Sequence, residues 1–416
     1  MSSADSSGQG TVQQQESIVI VGGGHAGVQL CAGLAAAGLG PQTHLVCEEP
    51  ELPYQRPPLS KSFLKHPEEA LQWHRTASWL AEVGITVHRA DPVVAIDRAG
   101  GMLQLRSGMP LPYRHLVLAT GTRARKLPGL PDGLSNVGVL RTAADAVWWR
   151  ERLPGAGKLT VLGGGFIGLE VAATARALGK EVEVLESAPR LLMRSVSPEL
   201  AEHVRQVHLA SGMHLRLGVG VGGVEIAGDR LQALVVEGVR QEIDLLLLGI
   251  GAVPEQALAA EAGLVCDNGI VVDAQMRTSD PAILAIGDCA SFPEATSGRR
   301  LRLESVQNAN DQAKAAVATL TGRAAPGLAL PWFWSEQGSL RLQMAGLMPA
   351  EGVRHCRPGA TPTSFSLLHY VGERLVSVES VNAPADHMAA RKLLEAQRSP
   401  APELACDPTR PLRSFV

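Results

Sequence analysis

Two glycine-rich motifs are the clearest chemical signal in this sequence. Both have the form GxGxxG, and their glycines are Gly22, Gly24 and Gly27 and, later in the chain, Gly163, Gly165 and Gly168. In such a turn the first glycine permits a tight bend, the second lets the backbone approach a pyrophosphate, and the third lets the next helix pack closely. The phosphates rest on the N-terminus of that helix, where N–H groups and the helix dipole favour negative charge. One match is weak evidence, but two in one chain predict two bound dinucleotides.

An acidic residue follows each motif at the distance expected for a ribose contact. Glu48 ends the apolar run THLVCE, and Glu186 ends the run VEVLE. A carboxylate at this place accepts hydrogen bonds from a ribose 2′-OH and repels a 2′-phosphate, so Glu186 favours NAD over NADP. Arg190 and Arg194 follow closely. They could reach the adenosine end of the nucleotide, or they could equally be solvated.

The elements that must position these residues are visible in the same segments. Ser17–Val21 is a short run of mostly β-branched residues, Leu159–Leu162 is a similar apolar run, and each leads through its motif into a helix-like sequence. Leu116–Gly121 and Leu245–Gly251 are further candidates for buried strands, each ending in glycine. Two βαβ units with matching order predict two doubly wound, Rossmann-like α/β domains.

The last part of the chain has a different composition. Ile283–Ala290 is predicted to be a strand that runs into a Gly-Asp turn. After Ala324 two prolines appear, together with the aromatic cluster Trp332, Phe333 and Trp334. We place a domain boundary near residue 326 and predict a small α+β domain, with a few strands and a terminal helical segment, beyond it.

The composition excludes several classes of protein. The chain has 416 residues, enough for two or three domains, and a formal net charge of -3 that gives no global attraction for nucleic acid. Its longest apolar stretch is too short to span a membrane. The six cysteines are scattered, which argues against a metal site, fits a reducing cytoplasm and predicts small buried residues. Residues 1–15 are rich in Ser, Gln and Gly and are predicted to be a disordered tail.

Several motifs beyond the glycine loops carry a family resemblance. They are VGGGHAG, YQRPPLSK, LATG, LRT, LGGGFIGLEVAA, TSDPAILAIGDCA, LRLESVQNANDQA and PWFWSEQ. With these motifs, which span nearly the whole chain, the sequence resembles the ferredoxin reductases of the putidaredoxin-reductase and biphenyl-dioxygenase-reductase type. The resemblance implies a glutathione-reductase-like architecture. In it, residues 16–122 and 252–325 form an FAD-binding domain, residues 123–251 an NAD-binding domain, and residues 326–416 a C-terminal α+β domain.

The resemblance also assigns residues to the FAD. They are Ala26, Glu48, Lys61, Val93, Arg141, Asp288 and Val306, to which we add Arg56, Gly251 and Gly287 as cofactor-binding residues. Arg141 is a cation of the sort that meets a pyrophosphate, and Asp288 is placed to accept a hydrogen bond from a ribityl hydroxyl. Val306 opens a helical segment whose N-terminus could stabilise negative charge on the reduced flavin. Val93 is equally well explained as a core strand residue.

Three residues, Lys61, Glu170 and Trp332, are predicted to act in the reaction itself, because the fold implied by the resemblance brings the nicotinamide over the flavin; Trp332 is also predicted to lie beside the flavin. Lys61 and Glu170 are predicted to form an ion pair, in which the lysine favours the electron-rich reduced flavin and the glutamate neutralises it and orients the carboxamide of the nicotinamide. The alternative is that Lys61 is a solvated helix-cap cation and Glu170 a first-turn acid favoured by the helix dipole. Trp332 and Trp334 would lie on one side of an extended segment. There they would shape the surface for an electron acceptor, or they belong to the aromatic core of the C-terminal domain.

The resemblance implies an NADH-dependent flavoprotein that passes electrons from FAD to a [2Fe–2S] ferredoxin, which serves a cytochrome P450 or a ring-hydroxylating dioxygenase. Disulfide reductases of this fold need a CxxxxC pair, which the chain lacks, and an NADH oxidase or peroxidase would need an active cysteine. No metal is expected. Arg299, Arg300 and Arg302 could form a basic patch for an acidic ferredoxin, or could be a solvated loop. A rubredoxin or monodehydroascorbate reductase, and a non-enzymatic NADH sensor resembling apoptosis-inducing factor, stay open as alternatives.

Overall fold

Residues 17–294 and 298–416 are described by the computed structural model, and the predicted tail, residues 1–15, lies outside them. The contacts between residues divide the chain into two units. The first unit contains the described residues up to Arg56, Leu71–Arg123 and Val253–Ala329, and the second contains Pro57–Ala70, Ala124–Ala252 and Leu330–Val416. The strands Thr122–Ala124 and Ala252–Pro254 lie where the chain passes from one unit to the other.

The first unit is built around a parallel five-stranded sheet. Its strands, in spatial order, are Ile283–Ala285, His115–Leu118, Ile18–Val21, Thr43–Val46 and Thr86–His88. The central strands are short runs of Val, Ile and Leu that are almost wholly buried, as expected for a parallel sheet covered by helices. The helices are His25–Ala36, Ala77–Glu82, Ala257–Glu261 and Val306–Leu320, with 3₁₀ turns at Gly40–Gln42 and Gly287–Cys289. Two small sheets are formed by Val93–Asp97, Met102–Leu105 and Pro110–Pro112 and by Ile270–Val271, Ala290–Pro293 and Arg300–Leu301.

The second unit repeats this plan. Its parallel sheet has the strands His214–Leu217, Glu181–Glu186, Lys158–Leu162, Leu245–Leu248 and Val137–Gly138, in spatial order. The helices of this part are Ser62–Lys65, Ala143–Arg152, Phe166–Ala177 and Pro198–Ala210, with 3₁₀ turns at Pro57–Ser60 and Leu153–Gly155. An antiparallel sheet of Val221–Ala227, Arg230–Val236 and Val239–Glu242 completes it.

The C-terminal part of the second unit is an antiparallel sheet with one long helix. The strands, in spatial order, are Trp332–Gln337, Leu340–Gly346, Arg374–Val381, Phe365–Val371 and Val353–Pro358. The helix Pro384–Glu395 buries Ala390 and Leu393 in a core that also contains Leu368 and Val378 from the sheet. The chain ends with the short helix Pro402–Ala405 and the 3₁₀ turn Leu412–Phe415. The predicted strands and terminal helix are therefore present.

The predicted class, two doubly wound α/β parts and a smaller α+β part, is confirmed by these sheets. The two units do not follow the predicted domain boundaries in every segment, because Pro57–Ala70 and Leu330–Val416 share a unit with Ala124–Ala252. The assignment of FAD and NAD to separate domains stays a prediction. Within the described ranges, no helix combines the length and the apolar composition needed to cross a membrane.

All six cysteines lie in the described ranges and are free thiols. Cys31, Cys47 and Cys289 are buried as predicted, and burial raises the pKa of Cys47 to about 12. The prediction is wrong for Cys356, which is exposed because it alternates with the buried Arg357 along a strand. In the part of the chain that the structure describes, no group of three or more His, Cys, Asp or Glu side chains could hold a metal ion.

Candidate functional site

The first glycine loop has the shape that a bound pyrophosphate requires. Gly22 has a φ of 118°, and a Cβ added there would lie 2.2 Å from the carbonyl oxygen of Ala119. A Cβ on Gly27 would lie 2.0 Å from the carbonyl oxygen of Gly22, so the helix packs directly on the turn. Gly24 is different, since a Cβ there would have nothing within 4 Å. The loop is tight on its protein side and open on the side of Gly24.

The second glycine loop repeats this geometry. Gly163 has a φ of 109°, and a Cβ there would lie 2.4 Å from the carbonyl oxygen of Gly249. A Cβ on Gly168 would lie 2.5 Å from the carbonyl oxygen of Gly163. The nearest atom to a Cβ on Gly165 is 4.0 Å away. Both loops therefore have the three different roles that a dinucleotide-binding turn gives to its glycines.

The helix that follows each loop begins without a capping side chain among the described residues. Gly24 is the N-cap of His25–Ala36 and Gly165 is the N-cap of Phe166–Ala177, and within the described ranges neither helix receives a hydrogen bond from a capping side chain. The first N–H groups of a helix have no partner inside it, and they bind phosphate well. The chemistry of both loops therefore fits the phosphates of FAD and of a pyridine nucleotide.

The two predicted ribose acids lie beside their loops. Glu186 is the last residue of its strand, and its carboxylate accepts hydrogen bonds from the N–H groups of Gly164 and Ala188, both at 2.6 Å. These bonds hold the carboxylate at the carboxyl end of the sheet. Glu48 is exposed and comes two residues after the strand Thr43–Val46. Both acids are therefore close to the loop that their sequence position indicated.

Arg190 has a structural partner, whereas Arg194 points to another loop. The guanidinium of Arg190 donates to the carbonyl oxygens of Val196 and Met193, both at 2.9 Å, and so closes its own loop. Arg194 is exposed, and one of its terminal nitrogens would lie 3.3 Å from a Cβ on Gly251. A contact of Arg190 or Gly251 with the nucleotide stays a prediction, and Arg194 is the arginine with the freer guanidinium.

In the first unit, several residues assigned to FAD come together. Gly287 has a φ of 79°, and a Cβ there would lie 2.9 Å from the Cβ of Ala26. The N–H of Gly287 donates to the side-chain oxygen of Gln312 at 2.7 Å, which fixes the turn that carries Asp288. Val306 is the first residue of the helix Val306–Leu320, as the sequence predicted. These contacts place the glycine loop, the Gly-Asp turn and this part of the chain in one region of the unit.

A cavity of about 220 Å³ joins the loop to the same helix, and its lining includes His25, Gln55, His74 and Val306. The rings of His25 and His74 meet edge to face at 4.3 Å between centroids. Burial, helped by the charges of two arginines, lowers the pKa of His74 to about 4, so the ring is neutral at pH 7. Sequence reasoning missed this pair, because the two histidines are far apart in the chain and nothing in the glycine motif that contains His25 indicates His74.

The remaining assigned residues have identifiable surroundings. The guanidinium of Arg56 pairs with Glu49 at 2.7 Å, so the acid next to Glu48 neutralises it. Val93 packs against the hydrophobic core, although it is only partly buried. Arg141 precedes the helix Ala143–Arg152 and belongs to the second unit. Their contacts with FAD stay predictions.

The predicted ion pair between Lys61 and Glu170 is present. The ammonium of Lys61 lies 2.6 Å from Oε2 of Glu170, whose side chain is only 3% exposed. Nζ of Lys61 also donates to the carbonyl oxygen of Pro57 at 3.2 Å and contacts Oγ of Ser60 at 3.3 Å. Oγ of Ser60 donates to the same carboxylate oxygen at 2.5 Å. Glu170 is therefore buried, while the Lys61 side chain, 22% exposed, is partly buried and hydrogen-bonded.

Backbone contacts hold the segment that carries Lys61. Oγ1 of Thr174, one turn after Glu170, donates to the carbonyl oxygen of Ser60 at 2.9 Å. The guanidinium of Arg150 donates to the carbonyl oxygens of Phe63 and Glu69. These bonds explain why Pro57–Ala70 belongs to the second unit. The sequence offered no sign of them, because the partners are distant in the chain.

Trp332 and Trp334 lie on one side of their strand, as predicted. The strand is Trp332–Gln337, and the two indole rings stack at 5.4 Å between centroids. The guanidinium of Arg391 lies 4.5 Å from the ring centroid of Trp332. Arg391 therefore brings a positive charge to the aromatic side of the strand, where the indole face attracts it.

A basic patch of Arg299, Arg300 and Arg302 stays a prediction, but two of these arginines have partners within the first unit. The guanidinium of Arg300 donates to the carbonyl oxygens of Val272 and Ser291. The side chain of Arg302 is only 12% exposed and pairs with Glu304 at 2.6 Å. Both guanidinium groups therefore donate to partners within the first unit, carbonyl oxygens for Arg300 and a carboxylate for Arg302.

Comparison with known proteins adds to this geometry. Residues 16–313 match the family model described as pyridine nucleotide-disulphide oxidoreductase, and residues 332–416 match the model described as reductase C-terminal. The chain is 42% identical over 393 residues to rhodocoxin reductase from Rhodococcus erythropolis, with 94% of this chain and 92% of that protein covered. The crystal structure of the ferredoxin reductase for the CYP199A2 system from Rhodopseudomonas palustris has a TM-score of 0.91 at 41% identity, covering 96% of this chain and 99% of that chain. The covalent putidaredoxin reductase–putidaredoxin complex also has a TM-score of 0.91, at 37% identity, covering 96% and 98%.

Proposed function

We propose that this chain, which belongs to the pyridine nucleotide-disulphide oxidoreductase family, is an FAD-containing reductase that passes electrons from NADH to a [2Fe–2S] ferredoxin. The observation that carries the proposal is the pair of glycine loops, each open over its middle glycine and each followed by a ribose acid. Two such loops fit two nucleotides, as electron transfer from NADH through FAD requires. The predicted glutathione-reductase-like fold is confirmed by the solved structures that the chain resembles.

In this proposal the residues of the protein bind the two nucleotides, orient their reacting rings and balance the charge beside them. When bound, FAD accepts a hydride from NADH and returns its two electrons one at a time to an iron–sulfur protein. The loop at Gly24 would hold the pyrophosphate of FAD, and the loop at Gly165 that of NADH. Glu186 would bind the adenosine ribose of NADH and disfavour NADPH. The pair of Lys61 and Glu170 would place a cation, with its charge balanced, beside the reacting rings.

The absence of a thiol relay supports a protein acceptor. The chain has no CxxxxC pair, and its most deeply buried thiols have a raised pKa, which makes them poor nucleophiles. The aromatic pair of Trp332 and Trp334 is the candidate surface at which the acceptor meets the protein. One of the solved structures named above is a covalent complex with putidaredoxin, and we infer a similar protein acceptor here, serving a cytochrome P450 or a ring-hydroxylating dioxygenase. The free thiols also fit a cytoplasmic location.

The decisive experiment is reduction of candidate acceptors by NADH. The purified flavoprotein would be mixed with [2Fe–2S] ferredoxins encoded near its gene, with rubredoxin and monodehydroascorbate as competing acceptors and ferricyanide as a nonspecific one. We expect kcat/KM for one ferredoxin to exceed that for the competing acceptors by at least about tenfold, a difference of roughly 1.4 kcal/mol. Rapid ferricyanide reduction with no ferredoxin reduced would contradict the proposal.

A variant of the ion pair tests the entry of electrons separately. Lys61→Ala leaves the buried carboxylate of Glu170 without its cation, so it should slow reduction of the flavin by NADH in stopped flow. Reoxidation by ferredoxin should change little. The double variant Lys61→Ala/Glu170→Gln should be less impaired in stability than Lys61→Ala alone, because no unpaired buried charge is left. Equal slowing of both half-reactions would argue against this role of the pair.

A further inference from the structure

Glu170 is joined to the interior of the second unit by a chain of hydrogen bonds. Oγ of Ser335 lies 2.7 Å from Oε1 of Glu170, the carboxylate oxygen that Lys61 does not contact. Nε2 of Gln337 lies 3.1 Å from Oγ of Ser335, and Oε1 of Gln337 lies 2.9 Å from Nε2 of His208. These hydrogen bonds are shielded from water, because the side chains of Ser335, Gln337 and His208 are each no more than 2% exposed.

The direction of every bond in this chain follows from chemistry. A carboxylate only accepts hydrogen bonds, so Ser335 must donate to Glu170 and accept from the amide NH₂ of Gln337. The amide oxygen of Gln337 then faces His208, whose Nε2 must carry a proton. Burial lowers the pKa of His208, so the ring is neutral and is held in its Nε2–H tautomer. All three donors therefore point towards Glu170.

The elements that carry the chain fix its geometry. Glu170 and Phe166 are four residues apart on the helix Phe166–Ala177, and Ser335 and Phe333 are two residues apart on the strand Trp332–Gln337. The spacing puts each pair on one face of its element. The rings of Phe166 and Phe333 meet at 4.8 Å, so the strand crosses the helix with Ser335 opposite Glu170. The same strand carries the two tryptophans on its other face.

We propose that Ser335, Gln337 and His208 are positioning residues that hold the carboxylate of Glu170 in one orientation and so set the place of the Lys61 ammonium. The inference rests on the proposed function, because it gives the ion pair a role in hydride transfer. Lys61 and Ser60 bind one oxygen of the carboxylate, and Ser335 binds the other. Without Ser335 the second oxygen loses its donor, and the carboxylate is free to rotate about its last bond.

The test compares Ser335→Ala, Glu170→Gln and the double variant Ser335→Ala/Glu170→Gln. We expect Ser335→Ala to lower the limiting rate of flavin reduction by about tenfold, as for the loss of a hydrogen bond to a charged group. The affinity for NAD⁺, measured by calorimetry, should stay within about threefold, because the nucleotide loop is untouched. In the Glu170→Gln background, Ser335→Ala should add little. That non-additivity is the signature of action through Glu170, and a purely structural role would give additive effects.

Ser366→Ala is the matched control. Ser366 is a fully buried serine in the same antiparallel sheet, and its Oγ lies 2.9 Å from Oγ of Ser380, away from Glu170. It should lower the melting temperature about as much as Ser335→Ala and leave flavin reduction unchanged.

Gln337→Met provides a second route to the same answer if Ser335→Ala fails to fold. It keeps the length of the side chain and removes both of its hydrogen bonds. It should therefore also slow flavin reduction without weakening the binding of NAD⁺. Normal reduction in either variant, or additive effects in the cycle, would overturn the positioning role. Failure of NADH to reduce the flavin in the unmodified protein would instead overturn the proposed function.

Discussion

Gly24 and Gly165 have a conformation that alanine can also adopt. Their φ angles are -77° and -83°, so neither needs glycine for its backbone. Each lies where an added methyl group meets almost nothing in the protein. Glycine at these two positions is explained by a ligand that approaches the backbone, which is the role of the middle glycine in a dinucleotide loop.

This reasoning gives a prediction for each loop. Gly24→Ala should fold, with its melting temperature in the apo form nearly unchanged, but should purify with little FAD. Gly165→Ala should keep FAD and raise the KM for NADH by about tenfold or more, since a methyl group would occupy the place of the pyrophosphate. Absorbance at the flavin band and calorimetry with NAD⁺ measure the two losses. Gly22→Ala should behave differently from both variants. Its added Cβ would clash with the backbone at Ala119, so this substitution should prevent folding. Loss of FAD from Gly165→Ala would reverse the assignment of the loops.

Glu186 permits a sharper test of nucleotide choice. Glu186→Gln keeps an acceptor oxygen for one of the two loop N–H groups, of Gly164 or Ala188, and removes the negative charge that repels a 2′-phosphate. We expect kcat/KM for NADH to fall by roughly 1–3 kcal/mol in transition-state free energy, as for a lost charged hydrogen bond. Activity with NADPH should fall less or should rise. Steady-state kinetics with both nucleotides decides the matter, and equal use of NADH and NADPH by the unmodified protein would refute the role of Glu186.

At the scale of elements, one buried arginine ties the end of the chain to the C-terminal sheet. Arg357, on the strand Val353–Pro358, pairs with Asp386 at 3.0 Å. Its other donors reach the carbonyl oxygens of Ala405, Asp407 and Arg410 at 2.8–2.9 Å. Ala405 and Leu412 also anchor this segment, since both side chains are buried in the core of the C-terminal part. A planar guanidinium has five N–H donors and serves one carboxylate and three carbonyl groups here, whereas a lysine ammonium has only three donors.

Removal of this guanidinium should therefore loosen the last residues. We expect Arg357→Met to lower the free energy of unfolding by about 3–5 kcal/mol, because it leaves Asp386 and three carbonyl groups without their donor. Urea unfolding measures the loss, and limited proteolysis should cut first after residue 400. Arg354→Met on the same strand is the control, since the exposed pair of Arg354 and Glu199 should contribute no more than about 1 kcal/mol. Recovery of full stability by Arg357→Lys would contradict this account.

At the scale of the whole molecule, buried histidines make stability depend on pH. Seven histidines have a lowered pKa, and burial is the largest cause in each; they are His44, His74, His88, His115, His203, His208 and His387. Between the folded and unfolded pKa values the unfolded chain binds more protons, so stability falls as the pH falls. The decline should begin near the ordinary histidine pKa of about 6.5 and continue towards pH 4.

His387 offers the clearest single test of this effect. Its pKa is lowered to about 4 by burial and by the charges of Arg391 and Arg341, and both ring nitrogens lack a partner among the described residues. His387→Phe keeps an aromatic ring beside Trp332 and removes the titration. Urea unfolding would measure how much the free energy of unfolding falls between pH 7 and pH 5. This fall should be smaller by about 2 kcal/mol in the variant than in the unmodified protein. An identical pH dependence in the two proteins would show that His387 is not a source of it.

Local sequence was enough to predict much of this protein. The loops at Gly22 and Gly163, their strands and helices, and the ribose acids depend on residues within about twenty-five positions of one another, where glycine roles and apolar patterns act locally. The alternation of Trp332 and Trp334 follows from strand geometry alone. The pairing of Lys61 with Glu170 was predicted from a family resemblance, since nothing in the local pattern connects them.

Only the tertiary structure decided which distant residues share a site. The sequence left a basic patch and a solvated loop open for Arg299, Arg300 and Arg302, and only folding brought carbonyl groups to Arg300 and an acid to Arg302. The sequence likewise gave no sign that Ser335 bonds to Glu170 or that His208 bonds to Gln337, because these partners lie on elements far apart in the chain. Hydrogen bonds need partners within about 3 Å, and packing of helices and strands, rather than spacing along the sequence, sets such distances.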